Sequence, residues 1–500
     1  MNLRCSRREL LALTGTAAAG YALAAATPST GAAARGAATR RPGVSHFRSR
    51  PDLEPPIVDV SARTGPGGGV AGGGLVFVTP GGPLIVDGRG DPVWFRPARH
   101  YSTNLRVQHY QGQPVLAWWQ GRVAPYGVAE SGECVVVDAH YEEVARVKAT
   151  NGLATDLHEF VIARDGTAYF TAYKVVTADL TPIGGPAVAK SLEAWIQGVD
   201  LATGAVVFEW RGLDHIDLTE TYREYPPENK VFSPIHLNSI DPLPDGNLLV
   251  SARHTWTIYK VDGTTGAILW RLGGKKSDFT LGPGARFAWQ HDARWHAGNV
   301  VSMFDNESAP PVGKQSRGLV LHVTETKRTV DLVHAYDYPG EELLAGAQGS
   351  VQFMPNGDVF VGWGLQPYFT QYRREGKVAL SGRFASSKSY RAFRQTWTGL
   401  PSETPAVAVE RRPGRVRVFA SWNGATEVAR WSVRGGSSRH SLSKLGTARR
   451  TGFETTIEVA APANLRFFDV QALDRTGKVL ATSPVRRFCP GRLPTRTADQ

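Results

Sequence analysis

The sequence predicts an all-β protein, and its composition gives the first reasons. Of 500 residues, 54 are glycine and 32 are proline. This content is high for a helical protein and usual for many short strands joined by turns. Hydrophobic residues make up 42% of the chain and aromatic residues 10%, which is enough for real cores and excludes a mainly disordered chain. Outside the N-terminus, no apolar run reaches the roughly 20 residues of a membrane-spanning helix.

A hairpin pattern that recurs six times is the second reason. In each copy, a short apolar strand is followed by a partner strand, and the closest partners, Val199–Trp210 and Val261–Trp270, carry an Asp-x-x-Thr-Gly turn. The copies are roughly 50–64 residues apart, which leaves room for four short strands in each. Such a unit cannot bury its apolar faces alone, but radial stacking of six units buries them. We therefore predict a six-bladed β-propeller over residues 45–399, with a β-sandwich of similar hairpins as the alternative.

Residues 400–490 follow a different pattern. Six short alternating segments lie close together there, which is typical of a small immunoglobulin-like or fibronectin-like β-sandwich. The predicted strands are Pro405–Val409, Arg415–Trp422, Ala429–Val433, Glu454–Ala460, Leu465–Leu473 and Val479–Thr482. We expect the tail, residues 491–500, to be mobile because it is rich in Arg, Thr and Pro.

The N-terminus has the pattern of an export signal. Arg7 and Arg8 precede an Ala-rich apolar run over Leu10–Ala26, and small residues follow as cleavage positions. The paired arginines resemble a twin-arginine signal, and an ordinary secretory signal is the alternative. We expect a signal peptide over 1–34 and a linker over 35–44. The mature protein is then secreted or held in the cell envelope, with no membrane span.

Charge and cysteine content limit the partners. The net charge of +12 is carried by the two ends of the chain, while the central region is close to neutral. An anion site in the propeller must therefore be built locally, and we expect no nucleic-acid partner. Cys134 and Cys489 remain after signal removal, and either one disulfide or two free thiols fits an oxidising compartment. The chain has no Cys-x-x-Cys motif, which excludes a cysteine-based zinc or redox site.

Three histidines occupy matching positions in consecutive units. His158, His236 and His291 each lie seven to ten residues before the glycine of the following tight turn. In a propeller, that position starts the innermost strand, so repeat symmetry brings the three imidazoles together at the central channel. The second and sixth units carry other polar side chains there, namely Asn104, Arg106, Ser350 and Gln352.

Arg253 indicates what such a cluster would bind. Its permanent positive charge opposes a metal cation, whereas a guanidinium binds an oxyanion through two hydrogen bonds. Histidine titrates near neutral pH, so it can act as nucleophile, base or acid. The chain has no Gly-x-Ser-x-Gly elbow, and its Gly-rich stretches lack phosphate-loop spacing. The residues favour a group-transfer enzyme without a nucleotide donor, but they do not name the group.

Several motifs in a fixed order carry a resemblance to a known family. They are His158, His236-x-Asn238-Ser239, Arg253 and Gln290-His291-Asp292. With them, the sequence resembles the bacterial arylsulfate sulfotransferases over about residues 70–380. The resemblance implies a six-bladed propeller that moves a sulfuryl group from a phenolic sulfate ester to a phenolic acceptor. The reaction is ping-pong, is independent of the nucleotide donor PAPS, and needs no cofactor.

The resemblance also implies roles for individual residues. His291 is the expected nucleophile, which forms a transient sulfohistidine. His158, His236 and Arg253 are expected to hold the sulfonate oxygens. Asn238 is expected to assist in substrate binding.

Two other functions stay open at this stage. One is a metal-dependent propeller lyase or hydrolase with the three histidines as ligands, to which the neighbouring Glu159 and Asp292 could contribute. The other is a secreted, non-catalytic propeller that binds glycan or protein. A group of aromatic residues near the inner strands could stack on an aryl ring or simply pack within blades: Trp118, Trp119, Trp256, Trp363 and Tyr368.

Overall fold

The computed structural model describes residues 43–62, 73–225 and 231–488. Within these ranges the chain forms β-strands and three short 3-10 turns, at Thr181–Ile183, Gly212–Asp214 and Leu218–Glu220, and no α-helix. The all-β prediction is confirmed. The predicted signal peptide, nearly all of the linker, the C-terminal tail and Cys489 lie outside the described residues. In the described part, no helix is long and apolar enough to cross a membrane.

Six sheets follow one another along residues 58–395. Sheet 1 contains Leu75–Val78, Leu84–Val86, Pro92–Phe95 and Phe393–Gln395. Sheet 2 contains Tyr101–Tyr110, Gln113–Val123, Ala129–Val137 and Glu143–Val147. Sheet 3 contains Ala154–Ile162, Thr167–Ala178, Ala189–Asp200 and Val206–Arg211. Sheet 4 contains Leu237–Pro242, Leu248–Ala252, Thr257–Val261 and Ile268–Gly273.

The last two sheets of this region have five strands each. Sheet 5 contains His291–His296, Val300–Asp305, Arg317–Thr324, Thr329–Asp337 and the short parallel strand Thr280–Leu281. Sheet 6 contains Ser350–Phe353, Val359–Gly362, Tyr368–Tyr372, Val378–Phe384 and Val58–Ala62. In each of sheets 2 to 6, four consecutive strands pair in chain order, and the one that comes first in the chain lies at an edge of the sheet. We call this edge strand the first strand. In sheet 1 the corresponding edge strand is Phe393–Gln395.

Strands from the two ends of this region complete sheets 1 and 6. Phe393–Gln395 pairs antiparallel with Leu75–Val78 in sheet 1. Val58–Ala62 pairs antiparallel with Val378–Phe384 in sheet 6. The beginning and the end of the region are therefore joined by backbone hydrogen bonds in two places.

Each neighbouring pair of sheets buries one apolar cluster. Ile196 of sheet 3 and Val250 of sheet 4 belong to one such cluster, and similar clusters lie between sheets 1 and 2, 2 and 3, 4 and 5, and 5 and 6. A sixth cluster contains Val76 of sheet 1 and Phe360 of sheet 6. The last sheet thus packs on the first, and burial of each such side chain contributes about 1.5–3 kcal/mol.

Side-chain amides join the first strands of neighbouring sheets. Gln395 accepts from the N–H of Val107 at 2.7 Å and donates to its carbonyl at 3.1 Å. Gln108 donates to the carbonyl of Phe160 at 3.2 Å and accepts from the N–H of Ile162 at 2.8 Å. These amides satisfy edge-strand groups that would otherwise be buried without partners. They also fix the first strands, which carry the candidate site, relative to one another.

A buried ionic cluster lies among the same strands. Glu159 accepts from Arg294 at 2.5 Å, from Arg106 at 2.8 Å and from Arg391 at 3.1 Å. Asp292 accepts from Arg294 at 2.7 Å. Burial raises the pKa of the Glu159 carboxyl, but the charges of the three arginines outweigh it and hold that pKa well below its ordinary value. The two carboxylates that the metal-site alternative used are therefore held by arginines.

The C-terminal region forms two further sheets around one core. Sheet 7 contains Ala406–Arg412, Arg415–Ser421 and Glu454–Ala460. Sheet 8 contains Arg430–Ser438, Ser441–Arg449, Phe467–Leu473, Val479–Thr482 and Arg486–Arg487. Side chains of both sheets, such as Val418 and Val433, share a buried cluster. Ser441–Arg449 was not predicted from the sequence, because this edge strand is largely polar, buries none of its side chains and so shows no apolar alternation.

Candidate functional site

The three histidines in register lie on, or directly before, the first strands of sheets 3, 4 and 5. His158 lies within its strand, His236 directly precedes the first strand of sheet 4, and His291 begins the first strand of sheet 5. The ring centroids of His158 and His236 are 4.6 Å apart. The ring of Tyr390 lies 5.7 Å from that of His158 and 6.4 Å from that of His291. The structure thus gathers these side chains into one cluster, and all four are buried.

His291 is held in a single tautomer by its hydrogen bonds. Its Nδ1 faces two acceptors, the Asn306 Oδ1 at 2.7 Å and the Trp289 carbonyl at 3.1 Å, so Nδ1 carries the proton. Asn306 donates from its own Nδ2 to the carbonyls of Ala345 and Gln348, which turns its oxygen towards His291. The Nε2 accepts from the backbone N–H of Gln348 at 3.1 Å and therefore carries the lone pair.

The electrostatics of the site favour neutral imidazoles. Burial lowers the pKa of His291 well below its ordinary value, and the positive charge of Arg253 lowers it further, while the hydrogen bond to Asn306 opposes both. Burial also lowers the pKa of His236, with neighbouring His158 and His254 adding to the shift. Both rings are therefore neutral near pH 7.

Asp156, His158 and His236 form a continuous hydrogen-bonded chain. The Nδ1 of His158 lies 2.5 Å from the Oδ2 of Asp156. The Nε2 atoms of His158 and His236 are 3.0 Å apart. The Asp156 carboxylate also accepts from the N–H of Ala129 at 2.8 Å and from the hydroxyl of Thr171 at 3.1 Å. The Nδ1 of His236 is buried and has no hydrogen-bond partner in the described part of the chain.

Arg253 is positioned by a fourth buried histidine. His254 donates from Nδ1 to the carbonyl of Ser233 at 2.6 Å, so its Nε2 accepts from the Arg253 Nη1 at 3.0 Å. The Arg253 Nη2 donates to the Gly346 carbonyl at 2.7 Å. The guanidinium lies over the Trp289 ring, 4.9 Å from its centroid. The ring of His254 stacks on His236 at 4.6 Å, so it links the arginine to the histidine cluster.

Asn238 holds the strand that carries His291. Its side-chain Nδ2 donates to the carbonyl of Gln290 at 2.6 Å, and its backbone carbonyl accepts from Arg391 at 2.8 Å. Its Oδ1 is buried without a hydrogen-bond partner among the described residues. An amide oxygen only accepts hydrogen bonds, so this atom can accept one from a hydroxyl group but cannot donate one to a sulfonate oxygen.

Comparison with known proteins identifies the family. The family model described as arylsulfotransferase (ASST) matches residues 106–385, more than half of the chain. The chain belongs to the arylsulfotransferase family. The matched range contains each of the three histidines in register, together with Asn238 and Arg253. No curated protein matches the chain.

Solved structures are similar to this arylsulfotransferase-family chain only distantly. The Dos1 propeller is 12% identical, with 76% of this chain and 80% of that chain covered and a TM-score of 0.32. The GH43 protein BlXynB from Bacillus licheniformis is 10% identical, with coverage of 77% and 89% and a TM-score of 0.31. Streptogramin B lyase is 9% identical, with coverage of 75% and 88% and a TM-score of 0.29. Similarities this low carry no argument about the site.

Only one of the five aromatic residues singled out in the sequence lies beside the site of this family member. Trp256 stacks on Tyr222 at 3.7 Å and contacts the Trp289 ring at 5.1 Å. Its backbone has a φ of 50°, and that of Trp289 has a φ of 58°; such values are costly for bulky residues and concentrate at functional sites. Trp118, Trp119 and Trp363 are fully buried core residues, and Tyr368 packs on Tyr338.

Four further residues of the candidate site were not predicted from the sequence: Asp156, His254, Asn306 and Tyr390. Asp156 and His254 each lie within two residues of a predicted site residue, so closer reading of the flanking positions could have found them. Asn306 directly follows the second strand of sheet 5, as Arg253 follows that of sheet 4, whereas Tyr390 belongs to no repeated pattern. Within the described ranges, no group of three His, Cys, Asp or Glu side chains is arranged to hold a metal ion.

Proposed function

We propose that the protein transfers a sulfuryl group from a phenolic sulfate ester to a phenolic acceptor, with His291 as the nucleophile. The observation that carries the proposal is the tautomer of His291. A neutral imidazole with its proton fixed on Nδ1 keeps its lone pair on Nε2, which attacks once the sulfate ester displaces the hydrogen bond from the Gln348 N–H. Asn306, itself held by two carbonyls, keeps the ring in this state and would stabilise the charge that develops on it.

The sulfonate would be held by groups that are already in place. We propose that Arg253, positioned by His254 and Gly346, binds sulfonate oxygens, and that His158 and His236 lie beside them. Sulfuryl transfer spreads negative charge over these oxygens and the leaving phenolate, and one preorganised donor is typically worth about 3 kcal/mol. We propose that Asn238 assists in substrate binding through its Oδ1, which has no hydrogen-bond partner within the described ranges.

We extend the proposal to the architecture and the destination of the protein. Sheets 1 to 6 would be the blades of one six-bladed propeller over residues 45–399, because each packs on the next and the last on the first. Sheets 7 and 8 would form the C-terminal sandwich over residues 400–490. The site would then lie at the hub. The N-terminal sequence pattern supports export, by the twin-arginine route, to the cell envelope or the exterior.

The test of this function is an acceptor-dependent turnover assay. Mature protein is incubated with 4-nitrophenyl sulfate, with and without a phenol acceptor, in chelator and without nucleotide. We expect release of nitrophenol that depends on the acceptor, with transfer of sulfate to it. Equal release without acceptor would indicate a hydrolase instead. Loss of activity in chelator, restored by metal, would favour the metal-dependent alternative, and no turnover of any aryl sulfate would favour the binding protein.

The rate should persist at mildly acidic pH. His291 attacks only when Nε2 is unprotonated, and its pKa is lowered by burial and by Arg253. The lone pair is present above that pKa, so kcat/KM should fall only as the pH drops well below 6.5, the ordinary value for histidine. The measurement is a pH profile of kcat/KM with 4-nitrophenyl sulfate. A half-maximal rate at or above pH 6.5 on the acid side would contradict the prediction.

A further inference from the structure

We infer that Asp156, His158 and His236 form a proton relay that serves the phenol oxygen, with Asp156 as the positioning residue that anchors it. The inference rests on the proposed function and deepens it, because it assigns the route by which the proton reaches and leaves the phenol. The sequence alone does not show which of His158 and His236 transfers the proton to the phenol. The contacts of the three side chains distinguish their roles.

The two ends of the hydrogen-bonded chain differ, and this difference indicates where the relay exchanges a proton with the phenol. At one end, the Asp156 carboxylate accepts from the His158 ring, the His158 backbone N–H, the Thr171 hydroxyl and the Ala129 N–H. These four donors fix the carboxylate and the His158 ring, whose Nε2 then faces the Nε2 of His236. At the other end, the Nδ1 of His236 is buried without a hydrogen-bond partner among the described residues. It is the atom from which a proton can be delivered.

The ring geometry is suited to transfer between the two histidines. The rings of His158 and His236 meet edge to face, with an interplanar angle of 84° and 3.0 Å between the Nε2 atoms. His236 is fixed by the stacked ring of His254 and has a left-handed φ of 57°. Such a conformation is strained for a non-glycine residue and is retained where the surrounding structure requires it. The relay is therefore preorganised.

Sulfuryl transfer to His291 is coupled to proton transfer along the relay. The Nε2 lone pair of His291 forms the N–S bond, the S–O(aryl) bond breaks, and its electron pair leaves on the phenolate oxygen. That oxygen takes the Nδ1 proton of His236, while the Nε2 of His236 takes the Nε2 proton of His158. His158 keeps its Nδ1–H, which it donates to Asp156. The acceptor phenol reverses these proton movements as its oxygen attacks the sulfur, and His291 is released.

A relay that protonates the leaving group can be tested with a series of aryl sulfates. The variant Asp156→Asn removes the charge and keeps the size of the side chain. Without the relay, the rate must depend more steeply on the acidity of the leaving phenol. We expect the kcat/KM of Asp156→Asn to fall by about 10²-fold with phenyl sulfate, but by less than about tenfold with 4-nitrophenyl sulfate, whose phenolate needs no proton.

The control and a second variant keep the test decisive. Asp241→Asn changes a partly buried carboxylate of sheet 4 that accepts from the Trp295 N–H. This variant should retain the wild-type dependence of kcat/KM on the acidity of the leaving phenol. His158→Gln interrupts the same relay and should steepen the dependence even if Asp156→Asn does not fold. An equal loss across the series, with the wild-type slope, would overturn the relay and leave Asp156 a structural residue. Absence of turnover by the wild type would instead refute the proposed function.

Discussion

Replacement of His291 by alanine is expected to lower sulfuryl transfer by about 10³-fold or more. The variant loses the only atom for which we propose a covalent bond to sulfur. Arg253 and the other histidines remain, but they would then stabilise charge for a reaction that has no nucleophile. The measurement is acceptor-dependent release of nitrophenol, and His291→Gln, which keeps some hydrogen bonding, should be equally inactive.

A matched control separates this effect from a general effect of removing histidine. His109 is exposed and lies near the C-terminal end of the first strand of sheet 2, Tyr101–Tyr110. His109→Ala should therefore keep the wild-type rate. Thermal unfolding and circular dichroism of both variants would establish that they fold. A folded His291→Ala protein with more than a tenth of the wild-type rate would exclude the covalent route through this residue.

Replacement of Glu159 by glutamine is expected to lower the free energy of unfolding by about 3–5 kcal/mol. The side chain is fully buried and holds Arg106, Arg294 and Arg391, which come from three parts of the chain. Glutamine keeps the volume but leaves three buried cations undercompensated. The arginine charges hold the pKa of Glu159 below its ordinary value. The carboxylate therefore stabilises the fold fully at any pH above the ordinary pKa of glutamate, and this stabilisation is lost only as the pH falls through the lowered pKa.

Urea unfolding at neutral pH measures this effect. Glu458→Gln is the control, because that carboxylate is exposed and pairs with Arg417 on the surface of sheet 7. Surface pairs contribute little, so the control should unfold close to the wild type. If Glu159→Gln also unfolds like the wild type, the cluster is not a main support of the first strands, and the positions of the histidines need another explanation.

Repetition made much of the site predictable from the sequence. The turn glycines and apolar strands place His158, His236 and His291 at equivalent positions, and in the structure each lies on a first strand or directly before it. Arg253 follows the second strand of sheet 4 in the same way. Equivalent positions in stacked units converge, so no knowledge of distant contacts was needed.

The residues that tune the site were not predictable in this way. Tyr390 contacts the histidines from a segment without a repeat counterpart, and the ion pairs of Glu159 depend on how four different segments pack. Phe393–Gln395 completes sheet 1 although three residues are too few to show a periodicity. These contacts depend on packing between elements far apart in the chain, which local pattern does not record.

The most direct measurement is the mass of the protein during turnover. Mature protein is mixed with 4-nitrophenyl sulfate without acceptor, quenched at neutral pH, and analysed as intact protein and as peptides. We predict the addition of one sulfuryl group on the peptide that contains His291, and its loss when a phenol is added. A protein that turns over aryl sulfate without gaining this mass, or that carries it on another residue, would contradict the account.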